Sequence, residues 1–100
     1  MKKSNTNNWN QHLEQLCKGL LSIKTDTDKE MQNFLKDLCT KPELQAMSER
    51  LQAAKLIKAG TPYRDISKQT GLSTTTVTRI SHWIKEGEQG YNTVLERLEQ

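Results

Sequence analysis

The sequence predicts an all-α protein of six helices that carries a helix-turn-helix. Three observations lead there. Apolar residues recur at helical spacing along the chain, and no stretch alternates as a half-buried strand does. Capping residues, glycines and prolines punctuate that pattern at short intervals, leaving no long linker and no repeat. Gly71 separates two short helical segments whose apolar residues can plug the angle between them.

Taken in order, residues 1–7 are polar and are expected to form a flexible N-terminus. The first helix is placed at 8–24, with Trp9, Leu13, Leu16, Cys17, Leu20 and Leu21 on one face. TDTD at 25–28 offers N-caps and early acids to a second helix. Its stripe is Met31, Phe34, Leu35, Leu38 and Cys39. Thr40 caps the third helix, with Pro42 near the first turn and Glu43 three residues after the cap. That helix runs through Leu44, Met47, Leu51, Ala54, Leu56 and Ile57 and stops at Gly60-Thr61-Pro62. Segments 63–70 and 73–85 follow. Gly87 and Gly90 interrupt the chain again before a last amphipathic piece with Tyr91, Val94, Leu95 and Leu98. The expected organisation within one domain is a helical dimerisation core at 8–62, a helix-turn-helix unit at 63–85 and a C-terminal helix at 86–100.

The composition bears on what this body must do. Apolar residues make up 33% of the chain, or 38 residues once the five glycines are included. About 45–50% is usual on that count, so a solitary chain of this length has a thin core. A homodimer sharing its core between chains is expected. The stripes of the first two helices, wider than one short partner covers, agree with this; the alternative is that both fold onto the third helix. The formal charge is +3, unevenly spread: +1 over 1–40, +5 over 41–85 and −3 over 86–100. A basic middle suits a polyanionic partner. Cys17 and Cys39 have no CxxC or clustered histidine beside them, so they are expected to be reduced core residues of a cytoplasmic protein. No metal or cofactor is expected, nor, with no apolar run after the two N-terminal lysines, a signal peptide or membrane span.

The stretch YRDISKQTGLSTTTVTRISHWI, 63–84, supplies what a helix-turn-helix needs. Two steeply crossing helices need a glycine able to take φ > 0 in the turn, and Gly71 is there. A small residue belongs at the close approach four positions earlier, and Ser67 is there. Ile66, Leu72, Val77 and Ile80 occupy the plug positions, and Ser73 can cap the second helix.

With Val77 and Ile80 turned inward, the opposite face presents Thr74, Thr75, Thr78, Arg79, His82 and Lys85, with Thr76 at the margin and no acid before Glu86. Threonine is a mediocre helix former, so three in a row point to a working surface. Hydroxyls, methyls and a guanidinium near the start of a helix are the groups that read base edges in the major groove of double-stranded DNA. The candidate DNA-binding residues are Arg64, Lys68, Ser73, Thr74, Thr75, Thr76, Thr78, Arg79 and His82. Tyr63, Arg64 and Lys68, on the first helix of the pair, are expected to touch phosphate.

The residues LCTKPELQAMSERLQAAKLIKAGTPYRDISKQTGLSTTTVTRIS, 38–81, resemble the Trp repressor family. GEQGYNTVL, 87–95, is similar to the glycine-rich stretch that marks its YerC/YecD-type branch. The resemblance implies an intertwined helical dimer that binds operator DNA as a repressor. In the tryptophan-sensing member, two arginines sandwich the corepressor indole. By motif match they fall on Arg50 and Arg79, a candidate ligand-binding pair. The residue after the second arginine is glycine there and Ile80 here. Ile80 should fill the space of the indole, so tryptophan is not expected to bind.

No Ser–His–Asp pattern, phosphate loop or carboxylate pair suggests an enzyme. Two alternatives to a tryptophan-independent repressor stay open from the sequence. One is a regulator gated by another small ligand. The other is a helical module that docks a protein through its 63–85 surface.

Overall fold

A computed structural model of the chain describes residues 5–24 and 27–99. Among these residues there are six helices and no strand. They are α1 (Asn5–Leu21), α2 (Lys29–Leu38), α3 (Lys41–Lys58), α4 (Tyr63–Thr70), α5 (Thr74–Glu86) and α6 (Gly90–Leu98). None of the described helices is long and apolar enough to cross a membrane. The chain divides into two compact units, Met1–Thr40 with α1 and α2, and Lys41–Gln100 with α3 to α6.

In the first unit, α1 both starts and stops earlier than the expected range 8–24. Residues 5–7, placed by the sequence in a flexible terminus, form its first turn; residues 1–4 lie outside the described residues. Extending an established helix adds one hydrogen bond per residue fixed, so polar residues join it readily. At the other end Ser22 closes the helix. Its N–H reaches the Lys18 carbonyl at 3.0 Å, and its hydroxyl donates to the Gly19 carbonyl at 2.6 Å. Of the expected TDTD cap, residues 25 and 26 lie outside the described residues. Asp28 stands at the N-cap of α2, yet its carboxylate accepts from Gln32 Nε2 at 2.9 Å instead of from a backbone N–H. Its contribution is therefore its charge at the helix start and an i,i+4 bond.

No described residue between 8 and 40 is buried. Trp9 is 62% exposed and Leu21 74%. Cys17 is exposed and Cys39 half-buried, and the two form no disulfide. Within this unit α1 and α2 leave the face on which Cys17 lies uncovered.

In the second unit α3 is the spine. α4, α5 and α6 all pack against it, α4 against α5, and α5 against α6. The core is Ala53, Ala54, Ile66, Val77 and Ile80, with Ile84 and Leu95 closing it. Two alanines side by side bring the axis of α3 close to its neighbours, because interaxial distance follows the size of the side chains at the contact. Met47 and Leu51, in the apolar run of the third helix, are 41% and 37% exposed. α3 has 18 residues and outruns the 8-residue α4, so its burial falls on the C-terminal half alone. It ends in a Schellman arrangement, in which Gly60 N–H bonds the Ile57 carbonyl and Thr61 N–H the Leu56 carbonyl, both at 3.0 Å. Asn92 Nδ2 joins α6 to the end of α5, donating to the Ile84 carbonyl at 2.9 Å and to Gln89 Oε1 at 2.7 Å.

Candidate functional site

The turn between α4 and α5 is tied by a set of local hydrogen bonds. Gly71 takes φ +82°, ψ −1°, the left-handed region a Cβ disfavours. Its N–H caps α4 on the Ser67 carbonyl at 2.9 Å. Ser67, the small residue at the close approach, donates its hydroxyl to the Leu72 carbonyl at 2.5 Å. Thr70 donates to the Ile66 carbonyl at 2.7 Å and accepts the Leu72 N–H at 3.2 Å. Ser73 then starts α5, its Oγ accepting the Thr76 N–H at 3.1 Å. Ile66, Val77 and Ile80 are fully buried in the angle between the helices, and Leu72 packs half-buried against them.

This packing fixes which side of α5 faces out. Val77, Ile80, Ser81 and Ile84 are buried. Thr74, Thr75, Thr78, Arg79, His82 and Lys85 are exposed, and Thr76 is half-buried at the edge. Arg64 and Lys68 are exposed one turn apart on α4. The side chains of Arg64, Lys68, Thr74, Thr75 and Arg79 have no hydrogen-bond or ion-pair partner among the described residues. The hydroxyls of Ser73, Thr76 and Thr78 are engaged at the start of α5 itself. Ser73 Oγ also donates to Thr76 Oγ1 at 3.0 Å, and Thr78 Oγ1 donates to the Thr74 carbonyl at 3.0 Å. His82 Nε2 lies 3.6 Å from Glu86 Oε2, an ion pair only when the ring is protonated. The result is a polar outer surface, free of acids for three turns, on a helix held rigidly from behind.

Tyr63, expected beside Arg64 and Lys68 as a phosphate contact, uses its hydroxyl internally: it donates to Ser81 Oγ at 2.6 Å. The signal for this was available. Ser81 is a polar residue on the inward stripe 77–80–81–84, and such a residue needs a partner. Among the described residues no group of three or more His, Cys, Asp or Glu could hold a metal ion.

Arg50 is half-buried on α3, without an ion pair among the described residues, and Arg79 lies on the exposed face of α5.

The model of the Trp repressor protein family matches residues 11–99. The chain belongs to the Trp repressor family. It is 35% identical over 88 residues to YerC, an uncharacterized protein of Bacillus subtilis, a match covering 88% of this chain and 83% of that one. Its fold is that of a TrpR-like protein from Eubacterium eligens, with a TM-score of 0.82 and 37% identity over 90% of this chain and 91% of the other. A candidate Trp repressor from Staphylococcus aureus is similar at a TM-score of 0.80 and 35% identity, covering 89% and 87%. For a member of the Trp repressor family the telling position is Ile80. Its side chain is fully buried in the core cluster with Ala53, Ala54, Ile66 and Val77.

Proposed function

We propose that this chain is a homodimeric, sequence-specific DNA-binding transcription regulator that acts as a repressor and needs no tryptophan. Membership of the Trp repressor family supports the DNA-binding class. The observation that carries the reading is the outer face of α5. Thr74, Thr75, Thr78 and Arg79 stand exposed at its N-terminal end while its opposite face is sealed into the core. In this reading α5 enters the major groove, and Arg64 and Lys68 on the neighbouring α4 hold backbone phosphate. Ser73, Thr76 and His82 flank the contact. Ile80 supports independence from tryptophan, since an indole has no room beside a fully buried isoleucine.

Two features support the homodimer. The apolar stripe of α1 is uncovered within its own unit. In the second unit Leu51, Trp83, Tyr91 and Val94 line an open apolar groove of about 670 Å³. Such surfaces on a soluble chain mark contact sites. A two-fold dimer would place its two copies of α5 on half-sites about 34 Å apart or a multiple of that. Free thiols at Cys17 and Cys39 fit a reducing, cytoplasmic setting.

The test is selection of bound duplexes from a random pool, with the footprint measured. Enrichment of a two-fold-symmetric sequence supports the reading. Failure to enrich any duplex at low salt contradicts it.

A further inference from the structure

We propose that the outer face of α5 selects its DNA through thymine methyl groups, and that the γ-methyl of Thr78 is the reader. This rests on the DNA-binding reading above and names what that surface recognises. Five hydroxyls crowd the start of α5, on Ser73, Thr74, Thr75, Thr76 and Thr78. The structure divides them by what they already do. Ser73 Oγ takes the Thr76 N–H and donates to Thr76 Oγ1. Thr78 Oγ1 gives its proton to the Thr74 carbonyl at 3.0 Å. The hydroxyls of Thr74 and Thr75 have no partner among the described residues.

A threonine that bonds the carbonyl four residues back turns its oxygen along the helix, toward the preceding turn. With its proton committed, it leaves a ligand its methyl and only the acceptor side of its oxygen. Thr78 is exposed, so that methyl stands on the surface. The apolar group that a base edge shows in the major groove is the thymine 5-methyl, and threonine methyls pack against it. Thr75 differs, because its free hydroxyl can donate or accept and so suits any base. Arg79, beside Thr78 and without a partner, is available to guanine or phosphate. The face thus has a tolerant position at Thr75, a methyl reader at Thr78 and a guanidinium next to it.

The test uses the duplex enriched from a random pool, resynthesised with deoxyuridine for thymidine, which removes the methyls and keeps every hydrogen-bonding edge. The wild type should bind the uracil duplex about fourfold more weakly for each contacted methyl lost. Thr78→Val, which keeps a methyl and loses the hydroxyl, should retain the preference. Thr78→Ser, which keeps the hydroxyl and loses the methyl, should bind both duplexes alike. Equal binding of the two duplexes by the wild type overturns the methyl reading while leaving DNA binding intact, and so does a preference that survives in Thr78→Ser. If no duplex is enriched at low salt, the DNA-binding reading itself falls and this inference with it.

Discussion

The phenol of Tyr63, at the first residue of α4, donates a 2.6 Å hydrogen bond to the Oγ of Ser81 on the buried side of α5. This bond ties the two helices of the motif at the end away from their turn. Tyr63→Phe removes the donor and is expected to cost about 1 kcal/mol of stability, the usual net worth of such a bond. In a double-mutant cycle with Ser81→Ala the two losses should not add, because both remove one interaction. Chemical denaturation of the four proteins measures this.

Gly71 and Gly87 are needed for different reasons, and substitution separates them. Gly71 has a positive φ but open space where a Cβ would stand. Gly71→Ala should cost about 1–2 kcal/mol through the backbone alone, and Gly71→Asn less, since asparagine tolerates that region. At Gly87 a Cβ would lie 2.5 Å from the Trp83 carbonyl oxygen, which also accepts the Gly87 N–H at 2.8 Å. Gly87→Ala and Gly87→Asn should therefore both disturb the link between α5 and α6, with asparagine giving no relief. Thermal unfolding of the four variants checks the pattern.

Ile80 holds the core of the second unit. Ile80→Ala should destabilise it by about 2–5 kcal/mol, the transfer and cavity cost of truncating a fully buried aliphatic residue. Tryptophan added to the wild type should leave its melting temperature unchanged, since only a ligand that binds the folded state raises it. A shift that saturates with tryptophan concentration would show that the site accepts the indole after all.

The uncovered stripe of α1 sets an expectation for assembly. In sedimentation the chain should run at twice its own mass. Leu13→Asp and Leu16→Asp, each placing a charge on that stripe, should shift it toward the single chain or unfold it. A wild type that sediments as one chain across micromolar concentrations contradicts the homodimer.

The six helices and the motif were legible because their signals are local. Apolar spacing, Gly60-Thr61-Pro62, Gly71 and the Ser73 cap each act within a turn or two of their own position. Ile66, Val77 and Ile80 were legible as the buried plug, and the exposed side of α5 followed from them. The less legible features depend on what covers a surface. Ala54 belongs to the apolar run of the third helix, whereas Ala53, one residue off that run, is as fully buried because two partner helices pack on α3 there. Met47, Leu51 and Cys17 lie on faces the sequence marks as apolar, but periodicity does not say which element covers a face. Tyr63 and Ser81 are partners only in three dimensions, eighteen residues apart. The engagement of the Thr78 hydroxyl by the Thr74 carbonyl is a rotamer choice that residue identity leaves open.

The most direct measurement of the central claim is the affinity of the wild type, Lys68→Ala and Arg79→Ala for the enriched duplex and its single-base variants across a salt series. Wild-type binding should weaken steeply and linearly in log–log form as salt rises. Lys68→Ala should weaken all duplexes alike and lower that slope by about one. Arg79→Ala should lose about 1–3 kcal/mol and relax preference at one base pair. Binding that ignores salt and is untouched by either substitution would show that α5 and its neighbours are not the surface that meets DNA.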